Sequence, residues 1–346
     1  MTLSDIPPSG HQPSSPEKMM MELLLGGWVA QTITAVADLG VADVLADGPL
    51  PIGEMSYRVG AHPDALRRAL RALISKGIFA QRDDGRYQLT PLADLLRSDS
   101  PVSMAALARF VGSPQGREHW SLLTEAIRTG ASCVPALRGK SYFDYLRDEP
   151  EFSRVFNQAM TSISTYVDGP LVDAYDFRPF RTIVDVAGGH GRLLAAILAS
   201  APEAEGVLFD LPDVVMEAPS LLEKLGVARR VRLAEGSFFE EIPAGGDAYV
   251  LKHIIHDWPD YAALQILQNV RRAAATDAAL LLVETVIPED DSEFTGKVVD
   301  IEMLVFNDGR ERTATEYRHL LAKADFDMVR VVETTTDFSI VEARAT

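Results

Sequence analysis

The residues with the clearest chemical capacity lie in Lys252-His253-Ile-Ile-His256-Asp257-Trp258-Pro259. Histidine can take a proton near neutral pH without prior activation. The apolar run 248–254 reads as a strand, and Pro259 suits the first turn of a following helix. His256 and Asp257 are therefore expected on a loop at the carboxyl end of a strand, the edge where open α/β sheets bind ligands. Two carboxylates can serve the histidine. Glu284 interrupts the apolar run 279–286, where a charge is costly unless paired. Glu311 stands in Asn307-Asp-Gly-Arg-Glu-Arg-Thr313, just before a helix started by the capping box Thr313-x-x-Glu316. Either can orient His256 and stabilise its cation after proton transfer. A surface ion pair with Arg310 or Arg312 is the competing role for Glu311. His253 is expected to face the sheet's packing or a ligand. No metal site is expected, because no third ligand accompanies the two histidines and they lack helical i, i+4 spacing.

A second group surrounds Thr182-Ile-Val-Asp185-Val-Ala-Gly188-Gly189-His-Gly191, an apolar strand running into a glycine turn and then a helix over 192–199. Small residues let a ligand press against the backbone, with helix N–H groups pointing at it. A dinucleotide fingerprint counted from Gly189 would put Leu194 at its third small position, and Asp185 would repel a pyrophosphate. A carboxylate there suits a ligand with an ammonium and a sulfonium. The next strand ends in Phe209-Asp210, and an acidic residue at that place accepts ribose hydroxyls. Loop, Asp185 and Asp210 together describe a pocket for S-adenosylmethionine better than one for NAD. Phe238, in Glu235-Gly-Ser-Phe-Phe239, falls at the sheet edge where an adenine ring would stack; plain core is its other reading. Lys252 lines the adenine side or packs.

The elements that must position these residues change character along the chain. Residues 1–16 are rich in Pro, Ser and Gly and read as a disordered tail without signal-peptide features. Over 17–100 the pattern is helical, with Leu66, Ala69, Leu70 and Leu73 on one face and Gly77 as the stop. A short hairpin turning at Asp83-Asp-Gly85 completes a winged-helix module. Residues 101–176 read as a helical connector, rich in aromatics and Met, that contributes to a substrate pocket. From 177 to 346 strands and helices alternate, which predicts a mainly parallel sheet covered on both faces. The strands expected are 182–186, 206–210, 231–234, 248–254, 279–286 and a closing pair near 328–333 and 338–343.

Fifty acidic against 33 basic residues give a net charge of −17, which repels phosphate backbones and anionic lipid. The winged-helix segment carries nine basic and twelve acidic residues over 1–100, so subunit contact is favoured over DNA binding. Neither a nucleic-acid nor a membrane partner is expected, and no segment reads as membrane-spanning. The single cysteine, Cys133, fits a reducing cytoplasm.

From about Trp28 to its end the chain resembles the plant caffeate-type and bacterial small-molecule O-methyltransferases. The resemblance rests on Val184-Asp-Val-Ala-Gly-Gly-His-Gly, Phe209-Asp-Leu-Pro, Gly236-Ser-Phe-Phe, Lys252-His-Ile-Ile-His-Asp-Trp and Gly309-Arg-Glu-Arg-Thr, in that order. It implies an α/β, Rossmann-like S-adenosylmethionine methyltransferase fold behind an N-terminal winged-helix dimerisation domain, assembled as an intertwined homodimer. It implies His256 as proton acceptor bracketed by Glu284 and Glu311. Cofactor contacts map to Gly188, Asp210, Ser237, Phe238 and Lys252, with Ser164 near the cofactor's amino-acid end. Met160, Met303 and Asn307 match positions lining the acceptor pocket. Two departures stand out: Ala187 replaces the loop's usual first glycine, and Ser237 a common aspartate, which should weaken adenine binding. The expected activity is transfer of a methyl group to a hydroxyl of a small phenolic or polyketide-like molecule. The alternative is a relative that keeps the cofactor but hydroxylates or decarboxylates.

Overall fold

A computed structural model of the protein describes residues 15–346. The expected tail lies outside the described residues except for its last two positions. There Ser15 caps the helix Pro16–Asp38, accepting from the Lys18 N–H, and Pro16 opens it. The chain divides between Ser113 and Pro114 into two compact units.

In the first unit the helix Pro63–Ile74 buries Leu66, Leu70 and Leu73 and turns its arginines to solvent. The strands β1 (Phe79–Gln81) and β2 (Tyr87–Leu89) follow as an antiparallel wing. Thr34 and Arg109 tie the long first helix to the helix Ala105–Val111, through bonds of 2.8 Å to the Ala108 carbonyl and 2.7 Å to the Ala37 carbonyl. That packing carries the unit past residue 100, where the sequence pattern suggested its end.

One expectation is corrected here. The helix Pro16–Asp38 has 23 residues and holds an 18-residue stretch that is apolar enough, by length and composition, to cross a membrane. Its charges cluster at Glu17, Lys18, Glu22 and Asp38, leaving an apolar stretch between. Met19, Met20, Met21, Leu23, Leu24 and Trp28 are all exposed. Such a face in water calls for a cover.

The second unit is built on a sheet ordered β5-β4-β3-β6-β7-β10-β9, from β3 (Thr182–Val186), β4 (Glu205–Asp210), β5 (Val231–Glu235), β6 (Ala248–Lys252), β7 (Ala279–Ile287), β9 (Phe326–Glu333) and β10 (Phe338–Ala345). The first five of these run parallel and β10 is antiparallel to both neighbours. A two-residue strand, β8 (Arg312–Thr313), pairs with the end of β7 and is too short to show as a pattern. The sheet is buried on both faces, one core around Leu251, Ile266 and Tyr317, the other around Leu194, Leu208 and Val250. The chain runs outward from β3 to β5, then returns to place β6 on β3's other side. This reversal makes β3 and β6 the switch point, and their carboxyl ends open the crevice where such sheets take ligands.

Candidate active site

The glycine loop leaves β3 with Ala187 at φ +56° and reaches the helix Arg192–Ser200 through Gly191. A Cβ on Gly188 would stand 2.4 Å from the Asp185 Oδ2 and 2.6 Å from Leu208, so only glycine fits. Asp185 is fully enclosed, and its Oδ2 has no hydrogen-bond partner. Burial pushes its carboxyl up to about 7, with Lys252 opposing and Asp168 and Asp210 adding to the rise. An orphaned acid beside a backbone cradle fits a cationic ligand. Asp210 accepts from the Gly189 N–H at 2.8 Å and the Leu211 N–H at 2.7 Å, which pins the loop. Ser237 Oγ accepts from the Phe239 N–H at 3.2 Å. Phe238 packs on Phe239, with ring centres 4.8 Å apart, and approaches Trp258.

β6 ends at Lys252, two residues short of the sequence reading. His253 takes the left-handed region, φ +56°, and sets its ring 4.5 Å from that of Phe338. A 3-10 turn, Ile255–Asp257, then presents His256. Its Nδ1 lies 2.7 Å from the Glu311 Oε1 and 3.9 Å from the Glu284 Oε2. Glu284 instead accepts the Ile255 N–H at 2.8 Å and the Ile254 N–H at 3.3 Å, so it holds the turn while Glu311 holds the ring. Glu311 is buried, and the arginines beside it pair elsewhere: Arg310 with Glu316, Arg312 with Asp260. Burial pulls the imidazole's pKa down, but Glu311, Glu284 and Asp257 overcome it and raise it to about 10. Burial lifts Glu284 to about 7 against the pull of His256.

Donor atoms of His256, Glu284 and Glu311 lie within 4.8 Å of one another, so the fold supplies the additional ligands whose absence argued against a metal in the sequence. A cation there would displace the proton shared by Nδ1 and Glu311.

Lys252 does not point alone into a crevice. Its Nζ donates to Asp168 Oδ1 at 2.7 Å and to Ser164 Oγ at 2.9 Å, both on the helix Pro150–Ala174. Met160, Ser164 and Asp168 follow at intervals of four and share one helical face. That spacing was the available signal for Asp168, which sequence reasoning missed. Asn307 donates to Asp257 at 2.8 Å, and Met303 precedes it on the half-buried face of the helix Gly296–Phe306.

Comparison with known proteins places this chain in a family. A model of the O-methyltransferase domain matches residues 120–327, and one of the O-methyltransferase dimerisation domain matches 21–112. The chain belongs to the S-adenosylmethionine-dependent O-methyltransferase family. It is 43% identical to phenazine O-methyltransferase PhzM of Lysobacter antibioticus, over 94% of this chain and 95% of that protein. It is 34% identical to 8-amino-8-demethylriboflavin N,N-dimethyltransferase of Streptomyces davaonensis, over 92% of each chain. The solved SAH-bound structure of CalO1, a methyltransferase in calicheamicin biosynthesis, superposes with a TM-score of 0.84 at 32% identity, covering 95% of this chain and 97% of that one. The protein is accordingly an S-adenosylmethionine-dependent enzyme with a Rossmann-like catalytic fold.

Proposed function

We propose that the enzyme methylates a hydroxyl oxygen of a small aromatic molecule, with His256 as general base. The observation carrying this reading is the 2.7 Å contact between His256 Nδ1 and Glu311, which orients the ring and leaves Nε2 for an acceptor proton. Asp185, Gly188, Gly189, Asp210, Ser237, Phe238, Lys252 and Ser164 are assigned to the cofactor, and Met160, Met303 and Asn307 to the acceptor. When bound, the cofactor supplies an electrophilic methyl group on a positively charged sulfur. His256 removes the hydroxyl proton, Glu311 and Glu284 stabilise the resulting imidazolium, and positioning of the two substrates supplies much of the rest. The base makes the nucleophile, so no Lewis acid is called for. The reading includes a homodimer built on residues 21–112 and a cytoplasmic location.

The three carboxylates favour the imidazolium in the free enzyme, so His256 must first lose a proton to act as base. kcat/KM should therefore rise with pH from neutrality into the alkaline range. The test is a screen of phenolic, quinone and polyketide-like acceptors with labelled cofactor, read by mass spectrometry for methyl on oxygen or on nitrogen. His256→Ala should keep cofactor affinity while slowing turnover about 10²–10⁴-fold, partly recovering at high pH where the acceptor ionises unaided. Chelator treatment should change nothing. Near-normal turnover in a folded His256→Ala variant at neutral pH would remove the base assignment.

A further inference from the structure

Beside His256 lies a set of polar groups of which the proton-transfer reading uses only Asp257. Trp120 Nε1 donates to a carboxylate oxygen of Glu302, the residue before Met303. Burial pushes Glu302 up to about 7, with the indole N–H opposing. The Tyr142 hydroxyl is buried, has no hydrogen-bond partner, and feels both Glu302 and Asp257. Asp257 in turn lies 3.7 Å from the His256 Nε2. The surrounding side chains are aromatic: Tyr142 meets Phe306 at 4.7 Å and Phe156 at 5.9 Å, and Phe143 stacks on Trp258 at 6.0 Å. Flat apolar walls with a few convergent polar groups are the usual make-up of a small-molecule site.

Burial raises Asp257 as well as Glu302, so this wall carries its full negative charge on the alkaline side of neutrality, where the binding comparison belongs. Asp257 and Glu302 are both carboxylates. Arg138, a cation of the same aromatic cluster, is engaged by Glu118 at 2.6 Å, by His119 at 3.2 Å and by the Tyr145 ring at 4.7 Å. His119 itself stays neutral, because burial and the adjacent Arg138 lower its pKa to about 4. An orphaned hydroxyl between two acids can accept one bond and donate another, while each acid oxygen gains most from an N–H. A carboxylate brought to the same place meets like charge, and the nearest cation, the His256 imidazolium, is already flanked by Glu311, Glu284 and Asp257.

We propose that Trp120, Tyr142, Asp257 and Glu302 form a polar wall of the acceptor site and select acceptors presenting an amine or amide N–H over those presenting a carboxylate. The proposal rests on the methyl-transfer reading for the location of the acceptor, and adds the chemical class it must carry.

The test is calorimetry on the SAH-loaded dimer with one hydroxynaphthalene scaffold bearing a carboxamide, an aminomethyl or a carboxylate group. Hydrogen bonds to charged groups are worth a factor of roughly 10–100 in affinity. The amide and amine should therefore bind at least about tenfold tighter than the carboxylate. Glu302→Gln should cut that preference about tenfold while SAH affinity holds, and Trp120→Phe, which frees the acid from its donor, should shift it too. Equal binding across the three compounds, or a preference unchanged in both variants, overturns the proposal. Preference without any methyl transfer by the wild type would count against the methyl-transfer reading alone.

Discussion

At the scale of single residues, the site keeps groups in states that cost stability. Ala187 occupies the left-handed region that glycine adopts freely, at a cost of about 1–2 kcal/mol. Asp185 is costlier still. Its folded pKa is raised from 3.8 to about 7, so across that window the folded chain holds a proton that the unfolded chain releases. Stability must fall as pH rises through the window, and the full penalty applies above it. Asp185→Asn lacks the ionisable group and should be more stable than the wild type at pH 8, by on the order of 1–3 kcal/mol, with a smaller gain at pH 5. The same variant should lose cofactor affinity. Denaturation curves at both pH values, with calorimetry, check this; equal stability of variant and wild type at pH 8 would show that the buried acid carries no such cost.

At the scale of elements, the turn that carries His256 owes its position to a clamp from the segment around β8. A Cβ on Gly309 would lie 2.2 Å from the His256 carbonyl, so only glycine allows this approach, and the Arg310 N–H then bonds that carbonyl at 2.8 Å. Arg312, almost wholly buried, donates at 3.0 Å to the carbonyls of both Ile255 and Trp258 and pairs with Asp260 at 2.8 Å. Its fork brackets His256 from either side in sequence. Removing it leaves buried carbonyls unsatisfied and frees the turn. Arg312→Ala should cost about 2–4 kcal/mol, chiefly through the carbonyls left without a donor, and lower turnover with cofactor affinity less affected. Arg312→Lys, without the planar fork, should restore only part of either. A denaturation midpoint equivalent to wild type in Arg312→Ala would refute the clamp. Arg312 was visible in the sequence only as a neighbour of Glu311, because its partners lie about 50 residues away.

At the scale of the whole molecule, the apolar helix Pro16–Asp38 is the feature that calls for a partner. It carries an exposed stripe of methionines, leucines and Trp28, and most of it lies in the segment matching the dimerisation model. A second copy is the cover we expect. Light scattering should report a dimer, and Trp28→Glu should shift it toward monomer by placing a charge in the desolvated stripe. Deletion of residues 1–100 should leave an aggregating or inactive protein. A stable, active monomer after that deletion would end the dimerisation role.

Where the information was local, the sequence by itself determined most of the outcome, though not the end of β6. Strand, glycine turn and helix follow one another between residues 182 and 200, so Asp185 and the loop were readable together. The capping box at Thr313 and the helix stop at Gly77 are likewise decided within a few residues. The sequence left open which glutamate meets the histidine, because Glu284 and Glu311 come from different elements and both are near enough in principle. Only the register of β6 on β7, and of β8 beyond it, sets Glu311 on the ring nitrogen and Glu284 on the backbone of the turn. The same holds for Lys252, bound to Asp168 some 84 positions earlier, and for Trp120 on Glu302, 182 positions apart. Such pairs join segments whose separation carries no periodic signal, and packing alone brings them within reach.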